Sequence, residues 1–427
     1  MTEAPCAEQS ATLARALDRV RSRARLKTVF LMVTVLIAAV ALRTAIGHLR
    51  ALDGYKHVDF IGYYAWWLEY EHGENVWPAT PAQGEIEPGV PRTPYRNYTP
   101  FFVETFAPIT KLGANRSYWL WQSIQVLSFV LAVILFTRGS DPQLGYVPTV
   151  LVVAIAMFFR PFWGMLRYAQ CAAMLLMLMT ASWLSALRGR SMLAGAFLAG
   201  ATLIKLYPGA MLGYFLLQRR WREMFWFAIF TSAGVLITGL QEWLDFLRYG
   251  VSQTLDYVTT YQIGIFANMY IAVAHILSVS YRQFVLSVAI ALTAVVDLIL
   301  LAAGSYATIR ASERPQSQGV AFSLWAILCL LLSPVVWPHQ LVLTAPACFF
   351  TLTYGASLAM RVRSWRAFAP VSFAISVIGV VLLELRDFSG IPGVHPRQLS
   401  LLVLYLLCIG VAISGSALER GWSRTSS

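Results

Sequence analysis

The chain has 427 residues, of which 58% are hydrophobic and only 13% charged, with a formal net charge of +12. That balance excludes a large soluble core and describes a polytopic membrane protein, in which surplus Lys and Arg report topology rather than a nucleic-acid partner. Cys6, Cys171, Cys329, Cys348 and Cys408 are scattered, the last four in or beside apolar runs, so their spacing suggests neither a disulfide framework nor a metal site.

Residues 1–26 form a polar, basic segment expected in the cytoplasm, and the apolar run after it lacks a small-residue cleavage site, so a retained first helix is expected. Reading for stretches of roughly 20 apolar residues, fewer where protein shields them, predicts spans near 27–47, 118–137, 145–160, 170–187, 191–204, 207–218, 223–240, 284–309, 319–335, 340–360, 367–385 and 399–417. The expected fold is therefore all-α, with about 12 transmembrane helices in one domain, 27–418, and a cytoplasmic tail, 419–427. With both termini inside, the clusters Arg15 to Lys27, Arg188 and Arg190, Arg219 to Arg222, Arg310 and Arg314, Arg361 to Arg366, and Arg420 and Arg424 all fall on the cytoplasmic side, as the positive-inside rule requires. The long connections 48–117 and 241–283 then face the extracytoplasmic side, where a site can be built.

The first of these connections opens with DGYKHVDFIGYYAWWLEYEHGENVW, Asp53 to Trp77. Phe60, Tyr63, Tyr64, Trp67 and Tyr70 recur near helical spacing, which predicts an interfacial helix with rings at the headgroup level and polar tips in water. Asp59 is the candidate general base, with helix capping as its structural alternative. Asp53, Glu69 and Glu71 are expected to be solvated. Pro78 to Pro100 reads as an outer loop, and Asn97-Tyr98-Thr99 and Asn115-Arg116-Ser117 match the glycosylation acceptor pattern, which is frequent by chance.

Further along, Arg160 and Arg167 flank RPFWGMLR, a short outer turn, and guanidinium groups bind phosphate through paired bonds. Lys205 lies between two short apolar arms in LIKLYPG, where a flexible point cation can hold phosphate. His339, in SPVVWPHQ, can orient a leaving phosphate. Each of these also has a bland reading: headgroup contact for the arginines, snorkelling for the lysine, a structural helix start for the histidine. Asp297 is a lone acid in an apolar run, and no phosphate loop or dinucleotide fingerprint is present.

DFIGYYAWWLEYEHGENVW, YTPFF with the Pro of FAPI, RYAQ before a long apolar run, AGAFLAGATLIKLYP and SPVVWPHQLVL, in that order, resemble glycosyltransferase family 87 over about residues 30–350. The resemblance implies a GT-C-like helical bundle with extracytoplasmic interfacial helices in the plasma (inner) membrane. It also implies transfer, with inversion and without a cofactor or metal, of a sugar such as mannose or arabinofuranose from a polyprenyl-phosphate donor to a glycolipid or glycan hydroxyl. It carries the family's acid onto Asp59 as base, its lysine onto Lys205, its glutamine onto Gln170 and its histidine onto His339. Arg160 and Arg167 are expected to assist at the donor phosphate, and Gln170, Tyr63, Tyr64 and Trp67 at the substrate. Ala169 stands where a glycine commonly precedes that glutamine, Cys171 where an asparagine often follows, and Thr99 where a first proline is common. A polyprenyl-linked lipid carrier or another transporter is the competing expectation, because outer cations can bind phosphate without chemistry.

Overall fold

A computed structural model describes residues 4–52, 58–77, 83–92, 98–250, 265–277, 282–311, 314–333, 336–361 and 396–425. Asp53, Asn97, Arg363, Arg366, the expected span 367–385 and residues 251–264 and 278–281 of the second outer connection lie outside the described residues. The helices are α1 (Ala4–Arg50), α2 (Val58–Glu71), α3 (Pro100–Phe106), α4 (Ala114–Ser140), α5 (Tyr146–Ala156), α6 (Arg160–Arg167), α7 (Ala172–Leu187) and α8 (Ser191–Ile204). They continue with α9 (Leu212–Leu217), α10 (Trp221–Ile237), α11 (Leu240–Asp245), α12 (Ile265–Leu277), α13 (Arg282–Arg310), α14 (Pro315–Leu331), α15 (Ala345–Arg361) and α16 (Pro396–Thr425). A short antiparallel hairpin, β1 (Glu85–Glu87) and β2 (Val90–Pro91), the 3-10 segments Ala107–Leu112, Tyr207–Met211 and Pro338–Thr344, and a π turn at Phe246–Gly250 complete the described elements.

The fold is all-α apart from that hairpin, as expected, but helix length alone does not support twelve crossings. Among the described residues three helices are long and apolar enough to span a membrane, Lys27–Arg50, Ala114–Ser140 and Phe284–Arg310, and up to five spans result if two bent helix pairs count as one each. The reason is geometric. α7 and α8, with 16 and 14 residues, are only about 24 and 21 Å long at 1.5 Å per residue, short of a ~30 Å hydrocarbon core.

The chain divides into two compact units, residues 1–51 with 143–158, and residues 52–142 with 159–427. In the first, α1 packs on α5. The second holds every candidate site residue. In it α7 packs between α4 and α8, and α8 packs against α10.

Local sequence sets the helix ends that flank the candidate residues. Thr99 caps α3, its Oγ1 accepting from the Phe102 amide at 3.3 Å, and Pro100 occupies the first turn, where a missing N–H costs nothing. α8 stops at Lys205, whose backbone is extended, ahead of Pro208, which has no N–H to bond the Ile204 carbonyl four residues back and whose ring would crowd it.

The α2 segment departs from the interfacial picture. Phe60, Tyr63, Tyr64, Trp66, Trp67 and Leu68 are buried, and of the expected rings only Tyr70 is exposed. The 3-10 segment Ala107–Leu112, α3 and the hairpin cover this helix, so its aromatic face fills a protein core instead of a headgroup layer. Glu69, expected in water, is buried and accepts from Arg92 at 3.0 Å, while the same guanidinium also holds Glu74. A carboxylate in such a core needs a paired cation to offset the loss of water.

Candidate active site

The site forms where α2, the start of α3, the α6–α7 turn and the end of α8 meet. Asp59 lies in the first turn of α2, where the helix dipole favours an anion. Its Oδ2 accepts a hydrogen bond from Gln170 Nε2 at 2.8 Å. Tyr98, just before the α3 cap, donates to Gln170 Oε1 at 2.8 Å, and its hydroxyl oxygen lies 2.9 Å from that of Tyr63. Lys205 Nζ approaches the Tyr98 hydroxyl at 3.5 Å and stands 4.5 Å from the centroid of the same ring, with Tyr207 on another side at 5.7 Å. Cys171 Sγ is also 3.5 Å from the Tyr98 hydroxyl. Residues distant in sequence thus form one continuous row from Lys205 through Tyr98 and Gln170 to Asp59.

The backbone that presents Gln170 is made by a helix end. α6 closes with Gln170 N–H donating to Met165 O at 3.0 Å and Ala169 N–H to Leu166 O at 2.9 Å, with Ala169 at φ 51°. That is the left-handed helix stop normally taken by glycine. RPFWGMLR, expected as a turn, is therefore a short helix whose apolar residues Pro161, Phe162, Trp163, Met165 and Leu166 are buried. From α4, Trp121 Nε1 donates to Ala169 O at 2.7 Å, Gln122 Nε2 to Leu166 O at 2.7 Å, and Gln125 Oε1 accepts from Met174 N–H at 3.2 Å. One long helix thereby fixes the whole turn that carries Gln170.

Thr99 performs the corresponding task for Lys205. Its hydroxyl donates to the carbonyls of Leu203 and, at 3.4 Å, Ile204, the last residues of α8. Those carbonyls have no partner within the helix, and a side-chain donor satisfies them. A proline at position 99 could not make this bond, so Thr99 ties the segment carrying Tyr98 to the helix end that carries Lys205.

Electrostatics follow from enclosure. Burial pushes the Tyr98 phenol well above its ordinary range, with Cys171 and Tyr63 adding to it. Tyr63 rises likewise, first through burial and then through the negative charge of Asp59. Both phenols therefore keep their protons. In the turn after α8, burial pushes the Lys205 ammonium down against the opposing influence of Cys171 and Asp59. His339, buried in the 3-10 turn before α15, is pushed down by burial and then by the charge of Lys205. Its ring lies parallel to Trp337 with centroids 6.3 Å apart, and 5.7 Å from the half-exposed ring of Tyr168. Its Nε2 is buried with no hydrogen-bond partner among the described residues.

Of the residues singled out in the sequence, Asp59, Tyr63, Gln170 and Lys205 share the hydrogen-bonded row, and His339 lies within the field of Lys205. Arg160 and Arg167 sit at the two ends of α6 with exposed side chains, outside that row. Tyr64 donates to Thr110 O at 3.4 Å, and Trp67 is fully enclosed by Phe60, Tyr63, Phe102, Phe106 and Trp121. As placed, these two rings are core. Sequence reasoning missed the roles of Tyr98, Thr99 and Trp121. The motif YTPFF contained the first two, but nothing local separates Tyr98 from the other 18 tyrosines among the chain's 19.

The model of glycosyltransferase family 87 matches residues 97–334, more than half of the 427-residue chain. The matched stretch contains Tyr98, Arg160, Arg167, Gln170 and Lys205, while Asp59 precedes it and His339 follows it. No curated protein matches the chain. On the strength of that match the chain belongs to glycosyltransferase family 87 and is a membrane glycosyltransferase.

Proposed function

We propose that this membrane glycosyltransferase moves a sugar, mannose first among the candidates, from a polyprenyl-phosphate donor to a hydroxyl of a glycolipid or glycan. The observation that carries this reading is the row itself, in which a carboxylate and a cation, Asp59 and Lys205, stand at opposite ends of a short chain of hydrogen bonds. Transfer from a phosphodiester-linked sugar needs both. A base must take the acceptor's proton, and a cation must meet the charge that gathers on the departing phosphate.

In this reading Asp59 accepts the proton of the acceptor hydroxyl as its oxygen forms a bond to the anomeric carbon. The bond from that carbon to the phosphate oxygen breaks on the opposite face, its electron pair leaves with polyprenyl phosphate, and configuration inverts. Lys205 meets the phosphate, helped by His339, whose buried Nε2 can face it, and by Arg160 and Arg167 at the exposed rim. Lys205 makes no ion pair among the described residues, so an arriving phosphate would give its ammonium a close anionic partner. Tyr63 belongs to the row, and Tyr64 and Trp67 pack in the core along the same helix.

The site lies on the extracytoplasmic face of the plasma membrane with both termini inside, in keeping with the basic clusters at Arg188, Arg190 and Arg219 to Arg222 on the opposite helix ends. Short helices such as α7 and α8 cross where neighbouring protein shields them. The test supplies membranes with labelled polyprenyl-phosphate mannose, and in parallel the arabinofuranose donor, and follows the label. Its appearance in a lipid product, dependent on this protein, is expected. Label translocated unchanged, with no product, would identify a carrier instead.

A further inference from the structure

The Tyr98 hydroxyl has four polar neighbours: Gln170 Oε1 at 2.8 Å, Tyr63 Oη at 2.9 Å, and Lys205 Nζ and Cys171 Sγ each at 3.5 Å. Their chemistry fixes the direction of each bond. An ammonium only donates, and an amide oxygen only accepts. The Tyr98 proton therefore goes to Gln170, and its oxygen receives Tyr63 and Lys205. With Oε1 so occupied, the Gln170 NH2 must face the Asp59 carboxylate, 2.8 Å away. The reverse amide orientation would set acceptor against acceptor. Every bond in the row thus points from the cation towards the carboxylate, and such aligned bonds reinforce one another in a low-dielectric interior.

We propose that Tyr98 is a positioning residue for the transfer: its hydroxyl sets the orientation of the Gln170 amide, which in turn holds the Asp59 carboxylate in the direction from which it removes the acceptor proton. Tethering Oδ2 decides where the second oxygen points. Tyr98 is buried beneath Gln170, itself only 8% exposed, so it acts through the amide and not on the reacting atoms. The inference rests on Asp59 being the base and assigns Gln170 to that base rather than to the sugar.

The experiment measures kcat and donor KM for purified full-length protein in lipid nanodiscs, using whichever of the polyprenyl-phosphate mannose and arabinofuranose donors the wild type turns over. Variants are Tyr98→Phe, Gln170→Met, the two combined, and Asp59→Asn. Phenylalanine keeps the ring beneath Lys205, so donor KM should stay within about twofold while kcat falls about tenfold or more, in line with the cost of misplacing a reacting group. Gln170→Met should lower kcat by a similar factor, and the double variant should be no slower than the slower single one, since both remove the same tether.

Multiplying losses in the double variant, or wild-type kcat for Tyr98→Phe, would overturn the proposal. So would Gln170→Met within twofold of wild type, and this arm decides even if Tyr98→Phe does not fold. Asp59→Asn separates the two layers. An active Asp59→Asn removes the base and the inference with it, whereas an inactive one beside an unaffected Tyr98→Phe removes the inference alone. Turnover of neither donor would overturn the donor reading on which both rest.

Discussion

The α6–α7 turn is held in a left-handed stop on an alanine by hydrogen bonds from α4. Ala169 sits at φ 51° and is completely buried, in a backbone region that costs an L-residue roughly 1–2 kcal/mol relative to right-handed helix. The bonds from Trp121 and Gln122 to the carbonyls of Ala169 and Leu166 hold it there. Glycine adopts this conformation freely but loses more freedom on folding, so the two effects partly cancel. Ala169→Gly should therefore keep full transfer activity and leave stability unchanged or raised by up to about 1 kcal/mol. Ala169→Val places a β-branched side chain at positive φ in a closed site and should destabilise by about 2 kcal/mol or more, lowering transfer as Gln170 is displaced. Thermal unfolding in nanodiscs together with transfer rates checks both. The glutamine and the alanine before it were both legible as motif positions. Their geometry was not, because a left-handed helix stop on alanine has no compositional marker, and Gln170 meets Tyr98 and Asp59 from 72 and 111 residues away.

At the scale of elements, the position of Lys205 is inherited from the packing of α8 on α10. A Cβ at Gly195 of α8 would lie 2.6 Å from the Phe227 nitrogen and 2.8 Å from the Glu223 carbonyl oxygen, both backbone atoms of α10 that cannot swing aside. Gly234 of α10 in turn leaves room for Leu203, whose carbonyl receives Thr99. Close helix approach through small residues is a common way to join helices inside a membrane. Gly195→Ala, which adds only that Cβ, should separate the helices, cost about 1–3 kcal/mol of stability and raise donor KM although it lies about 15 Å along the helix from Lys205. Unchanged unfolding temperature and donor KM would contradict this coupling. α8 itself was readable as 191–204 because Arg188-Gly189-Arg190 and Pro208 punctuate it. The surroundings of α2 were not readable. Aromatic residues at helical spacing fit a headgroup layer and a protein core equally well, and only the packing of α3, the 3-10 segment and the hairpin on that helix decides for the core.

For the whole molecule, hydropathy and charge made the membrane class and the all-helical architecture legible, while the number of crossings was not, since helices of 14 to 16 residues satisfy apolarity without satisfying length. What the fold accomplishes is convergence. α2, the α3 cap, the α6–α7 turn and the α8 end bring an acid and a cation into one hydrogen-bonded row, the arrangement that the proposed transfer needs. The most direct test compares wild type and Asp59→Asn in nanodiscs, measuring label transferred from the donor that wild type uses alongside donor binding. If Asp59 is the base, Asp59→Asn binds donor normally, unfolds at the wild-type temperature and loses at least about 10²-fold in turnover. Turnover near the wild-type rate in that variant would contradict the assignment.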